Sequence, residues 1–107
     1  MGKNDASGRD MNLSGTWKVS VEIGPIWFKS LNLLRNRKVI EGNSGYNSLA
    51  FGIKWGRFTI TQNAKEFIFT YSDRPIIDSV YVFGDQVIGF FYFNQKYVGW
   101  FKMTRIK

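Results

Sequence analysis

Two short segments at opposite ends of the chain constrain the fold more than anything between them. Leu13-Ser14-Gly15-Thr16-Trp17-Lys18-Val19 and Gly99-Trp100-Phe101-Lys102-Met103-Thr104-Arg105 both read as β-strands. In the first, Leu13, Gly15, Trp17, Val19, Val21 and Ile23 fall on one face, and Ser14, Thr16, Lys18, Ser20 and Glu22 on the other. That period of two marks a half-buried strand. An all-β chain whose first and last strands lie side by side has closed its sheet and lost its exposed edges. The expected fold is therefore a barrel with an inside.

Seven further strands are expected at 38–41, 48–55, 57–62, 66–72, 76–83, 86–93 and 96–106, making eight with the first. Asn63-Ala64-Lys65, Asp73-Arg74-Pro75, Gly84-Asp85 and Asn94-Gln95 separate apolar runs as hairpin turns do. Each strand then pairs with the next, giving an all-β, eight-stranded up-and-down antiparallel β-barrel whose interior holds side chains or one small ligand. A two-sheet sandwich needs a long crossover, and none is available after Arg57. Segment 24–36 breaks the rhythm: Pro25 suits a first helical turn, and Trp27, Leu31 and Leu34 recur on one helical face. It reads either as one short helix after the first strand or as a longer strand. Segment 41–47 is polar and glycine-rich, expected as a mobile loop with Tyr46 near its tip.

At 107 residues and 44% hydrophobic content the chain supports one domain, expected over 12–107, behind a disordered tail over 1–11. With no Cys and no His, disulfides, histidine-based triads, cysteine nucleophiles, His- or Cys-ligated zinc and histidine-ligated haem are excluded. No metal or other cofactor is implied. The tail has no apolar core for a signal peptide, and Ala6 stands where a myristoylation motif needs Ser or Thr. No apolar run reaches the roughly 20 residues of a membrane helix, so a cytoplasmic protein is expected. The net charge of +7 favours an anionic partner, although the basic residues are scattered and only Arg35, Arg37 and Lys38 cluster.

The opening strand resembles the glycine-x-tryptophan first-strand motif of the calycins, the group of lipocalins, intracellular fatty-acid-binding proteins and avidins. The ending Met103-Thr104-Arg105-Ile106-Lys107 is similar to their last strand, whose arginine packs over that tryptophan. The resemblance covers about a dozen residues. It implies a lipocalin-like barrel that binds a small hydrophobic molecule. The wording is nearest to fatty-acid-binding proteins, but Lys107 stands at the aromatic position, so the arginine-tyrosine carboxylate clamp of that family is incomplete. Physics supplies a reason of its own for the pair: an indole plugs a narrow barrel end, and a guanidinium over its face gains about 0.5–2 kcal/mol. Trp17 and Arg105 are read as a structural plug, with contact of Arg105 to a ligand carboxylate as the alternative.

Aromatic residues make up 18% of the chain. Phe67, Phe69 and Tyr71 share a strand face, as do Tyr81 and Phe83, Phe91 and Phe93, and Tyr97, Gly99, Phe101 and Met103. Pointing inward, they either fill the barrel or line a small apolar cavity with tyrosine tips. The ligand-binding candidates at inward or mouth positions are Trp27, Phe28, Tyr46, Phe69, Tyr71, Tyr81, Phe91 and Tyr97. The opposite faces of the last strands are apolar as well, and Ile88, Phe90, Tyr92, Val98 and Trp100 form a candidate patch for a homo-oligomer. Cover by segment 24–36 is the alternative.

Catalysis has little support. Asp78 interrupts an apolar strand and is read as bridged to a neighbouring Lys or Arg rather than as a general base; Glu41 and Glu66 sit at strand ends and read as solvated. A single-stranded nucleic-acid-binding barrel would use basic charge and stacked bases, but the aromatics here alternate with aliphatic and small residues. The expected function is non-catalytic binding of a small hydrophobic or amphipathic ligand, possibly an anion, inside the barrel. The alternatives are a self-associating structural barrel with a filled core and the nucleic-acid reading.

Overall fold

The alternation of apolar and polar residues becomes eight strands in the computed structural model, which describes residues 12–106. The tail expected over 1–11 and Lys107 lie outside the described residues. The strands are β1 (Gly15–Ile23), β2 (Arg37–Glu41), β3 (Ser44–Ser48), β4 (Lys54–Asn63), β5 (Glu66–Tyr71), β6 (Ile76–Phe83), β7 (Gln86–Phe93) and β8 (Lys96–Arg105). Each pairs antiparallel with the next, and β1 pairs with β8 from Trp17 opposite Arg105 to Ile23 opposite Trp100. The sheet is a closed up-and-down barrel. Among the described residues no helix is long and apolar enough to cross a membrane.

Two of the eight strands differ from expectation. The segment read as a loop, 41–47, is a tight hairpin: β3 folds onto β2 with Glu41 opposite Ser44 and Lys38 opposite Asn47. The strand expected at 48–55 divides instead into the end of β3, one turn of 3-10 helix at Ala50–Gly52 and the start of β4. Phe51 adopts φ +67 and Gly52 φ +76 there, reversing the chain where unbroken alternation had suggested a straight segment. Tyr46 consequently lies in β3 opposite Val39, not at a loop tip.

Segment 24–36 contains the helix α1 (Ile26–Leu33), entered through Pro25. It packs Phe28 into the barrel mouth, where the ring stacks on Phe91 at 4.5 Å. Of the expected Trp27, Leu31 and Leu34 face only Leu31 packs partly against the core; Phe28 is 1% exposed, Trp27 56% and Leu34 45%. Asn32 ties the helix to β1, accepting from the Val21 N–H at 2.8 Å and donating to its carbonyl at 3.0 Å. The amide thus satisfies backbone groups that β2, which pairs with β1 only up to Lys18, does not reach.

The inward residues include Trp17, Val19 and Val21 of β1, Ile40 of β2, Phe58 of β4, Phe67 and Phe69 of β5, Val80 of β6 and Phe101 and Met103 of β8, all buried. Phe58 stacks on Phe69 at 4.7 Å. Gly89 makes room for Phe101, since a Cβ there would stand 2.2 Å from its ring. Three bulges interrupt the alternation. One extra residue in β1 between Val21 and Ile23 turns Ile23 outward beside Trp100, although its parity places it with Val19 and Val21.

Candidate functional site

The polar groups of the interior gather toward the α1 end of the barrel. Lys38 opens β2, Asn47 closes β3, Tyr71 closes β5 and Asp78 opens β6, so four strands bring these side chains to one level. Lys38 Nζ lies 3.0 Å from Asp78 Oδ2 and donates to Asn47 Oδ1 at 2.9 Å and to the Tyr71 hydroxyl at 2.8 Å. The Tyr71 hydroxyl donates to Asp78 Oδ2 at 2.9 Å and accepts from Asn47 Nδ2 at 3.0 Å. Asn36 extends the network, donating to Asn47 Oδ1 at 3.0 Å and accepting from the Trp55 indole at 2.9 Å. Asp78 Oδ1 accepts no hydrogen bond among the described residues.

Local backbone makes this convergence possible. Where β3 meets β4, one extra residue lies in β4 between Trp55 and Phe58. Gly56 sits in that bulge at φ +61, a conformation that favours glycine, and a Cβ there would stand 2.7 Å from the Tyr71 ring and 3.0 Å from Asn47 Nδ2. Its carbonyl accepts from the same Nδ2 at 3.2 Å.

The ammonium also sits among rings. Lys38 Nζ is 5.2 Å from the centroid of Phe58, 5.8 Å from Phe69, 5.5 Å from Tyr71 and 5.4 Å from Phe101. The aromatic faces that would hold a cationic guest are occupied by the chain's own lysine. Burial lowers the Lys38 pKa because the charged form loses hydration, and the adjacent Asp78 carboxylate partly opposes that shift. Burial holds the Tyr71 hydroxyl well above its ordinary pKa, and the negative charge of Asp78 adds to the effect. Lys38, Asn47, Tyr71 and Asp78 are all at most 5% exposed, so a substrate would reach them only by displacing packed rings.

Of the expected ligand contacts, Phe69, Tyr71 and Phe91 lie inside the barrel, and Phe28 covers its mouth. Trp27 packs edge-on against Phe91 at the rim. The others are elsewhere. Tyr46 is half-buried under Lys54, whose Nζ lies 4.8 Å from its ring, and Tyr81 donates from the outer wall to Glu66 at 3.0 Å. Tyr97 is 53% exposed: an extra residue in β8 at the Phe91/Tyr92 register shift sets it opposite outward-facing Tyr92. Glu66, read as solvated, accepts from Ser79 and Tyr81.

Asp78 meets a lysine, as its position suggests, and that lysine is Lys38 of the basic cluster with Arg35 and Arg37. The available signal was parity: Lys38 shares its strand face with buried Ile40. At the opposite end, Trp17 donates to the Leu13 carbonyl at 2.8 Å, and the Arg105 guanidinium lies 4.3 Å over the indole while bonding the Ser14 carbonyl. Ile88, Phe90, Tyr92 and Trp100 are half-buried on the outer wall, with Phe90 directly opposite Trp100, whereas Val98 of the expected patch is the extra residue of the β8 bulge and packs against the core.

Trp17 packs at one end of the barrel and Phe28 at the other, and clefts lie along its outside. A cleft of about 540 Å³ runs along Lys18, Val19, Asn32, Arg35, Arg37 and Ile106. A second, of about 640 Å³, lies between the end of α1 and the 3-10 turn, lined by Leu33, Leu49 and Phe51. Arg35 and Arg37 line both, and no carboxylate among the described residues pairs with either.

Fold and site together define the class: a closed eight-stranded up-and-down β-barrel with an internal lysine-aspartate pair and a basic, apolar cleft at one mouth. Comparison of the chain with family models, curated proteins and solved structures returns no match.

Proposed function

We propose that this protein is a calycin-like, non-catalytic binding barrel for a small amphipathic anion, which it takes at the α1 mouth. The observation that carries the reading is the shared Arg35–Arg37 rim: two guanidinium groups without a carboxylate partner among the described residues, bordered by Leu33, Leu49 and Phe51. Guanidinium forks bind carboxylate or phosphate, and the adjoining apolar side chains suit a hydrocarbon portion. The ammonium and rings of the interior serve stability on this reading. Displacement of a fluorescent anionic amphiphile from the purified protein tests it. Arg35→Gln together with Arg37→Gln is expected to weaken binding roughly tenfold or more, at about 1.5–3 kcal/mol per charged hydrogen bond. Binding unchanged in that variant would move the site elsewhere.

The outer wall supports a second, separate reading, self-association. Ile77, Ile88, Phe90, Tyr92 and Trp100 form a continuous apolar face across β6, β7 and β8, while α1 is anchored on β1 and the mouth. A second copy can apply the same face in a two-fold contact. Sedimentation of the wild type and of Phe90→Lys tests it, with a shift to monomer expected in the variant and a monomeric wild type contrary to it.

A further inference from the structure

We infer that the α1 mouth docks on an anionic lipid membrane; this rests on the amphiphile reading above and names the source of that amphiphile. Ile26 and Leu33, seven residues apart, share one face of α1 and are 86% and 85% exposed, with exposed Lys29 between them. An ordinary surface helix turns its apolar stripe inward. Here Phe28 is buried and Leu31 packs partly against the core, while Ile26 and Leu33 form an apolar stripe that faces outward.

The stripe continues beyond the helix. The Ala50 N–H donates to the Leu34 carbonyl at 2.8 Å, bringing the 3-10 turn alongside the end of α1, and Phe51 projects from that turn fully exposed. Phe51 holds φ +67, a region costly for a bulky residue. Bonds from Leu49 N–H to the Ile53 carbonyl at 2.7 Å and from Gly52 N–H to the Leu49 carbonyl at 3.1 Å close the turn, so the ring is presented by ordered backbone.

Charge selects the occupant. Segments 23–40 and 42–65 contain no Asp or Glu, and at this end of the barrel exposed Lys29, Arg35, Arg37, Lys54 and Arg74 outnumber the acids, Glu22 ahead of α1 and Asp73 in the turn between β5 and β6. A second copy docked through this face would set those cations against their own images. A bilayer with acidic headgroups accepts both features: phosphates and carboxylates meet the cations, and Ile26, Leu33 and Phe51 enter the acyl boundary.

Co-sedimentation with vesicles tests the inference. The protein is expected to pellet with phosphatidylcholine vesicles containing about a third phosphatidylserine, not with phosphatidylcholine alone, and to be released as salt rises from about 0.1 to about 0.5 M. Arg35→Gln is expected to weaken vesicle binding about fivefold. Ile26→Ser, outside both clefts, is expected to weaken vesicle binding while leaving displacement of a soluble amphiphile unchanged. Equal pelleting with both vesicle types, no pelleting, or full pelleting of the Ile26→Ser, Phe51→Ser double variant overturns the docking inference. A wild type that binds the acidic vesicles but no soluble amphiphile would instead overturn the cleft reading.

Discussion

Replacing Lys38 with methionine keeps most of the side-chain volume and removes the charge that Asp78 faces. The carboxylate, 0% exposed, is then left with the Tyr71 hydroxyl on Oδ2 and no donor on Oδ1. Removing one member of a buried ion pair costs about 3–5 kcal/mol, because the remaining charge stays dehydrated. Against a total of about 5–15 kcal/mol for a domain, that is a large share. Asp78→Asn is expected near the lower end, since Lys38 would keep Asn47 Oδ1, the Tyr71 hydroxyl and four ring faces. The double variant has no uncompensated charge, and its amide can still accept from Tyr71. It is expected to cost less than the sum of the singles, with a coupling of about 2 kcal/mol or more. Urea unfolding followed by tryptophan fluorescence reads all four proteins, with a common slope required for the comparison. The melting temperature of Lys38→Met should fall by about 12 °C or more, at about 4 °C per kcal/mol. Single variants within about 1 kcal/mol of wild type, or costs that add within about 0.5 kcal/mol, would refute the reasoning.

Tyr71→Phe removes one donor and one acceptor from the same network and is expected to cost about 2–3 kcal/mol by leaving buried polar partners unsatisfied. It also changes the alkaline limb. Because the folded pKa of Tyr71 is raised, its contribution is complete below the unfolded value of about 10 and is lost as pH rises, at about 1.4 kcal/mol per pH unit. Lys38, with a lowered folded pKa, acts in the opposite sense, its penalty relieved with rising pH and finished near 10.5. Unfolding free energies measured above about pH 10.5 should therefore fall less steeply in Tyr71→Phe than in wild type, and equal slopes would contradict the assignment. Gly89→Ala places a methyl 2.2 Å from the Phe101 ring and is expected to destabilise by about 1–3 kcal/mol through overpacking, read by the same denaturation assay.

Much of the architecture is legible in local pattern, because a strand facing core on one side and water on the other must alternate, and a short turn between two such strands forces them to pair. Trp17 and Arg105 at the chain ends carry closure in the same way. Tyr81 is on the outer face of an unbroken β6, because Asp78 and Val80 take its inward positions, while other misplacements arise where a single residue breaks the period. Ile23 and Tyr97 carry the parity of inward residues and face out, since a bulge beside each shifts the register by one. The 3-10 turn at Ala50–Gly52 divides what reads as one strand, since nothing in the residue types of Leu49-Ala50-Phe51 announces a left-handed Phe51.

Site chemistry was less accessible still. Asp78 in an apolar strand announces a buried acid, but its partner lies 40 residues earlier, in a run of basic residues that all look like surface. The amino-acid sequence by itself determined the all-β class, the hairpin order and the closing pair, because these follow from period, turn chemistry and the character of the two ends. Only the tertiary structure decided that Lys38 turns inward among four rings while Arg35 and Arg37 remain outside, and that Phe28 covers the mouth while Phe51 stands free. The physical reason is that charge burial and end-capping depend on which strands meet at one level of the barrel, a distance in space that spacing along the chain does not encode.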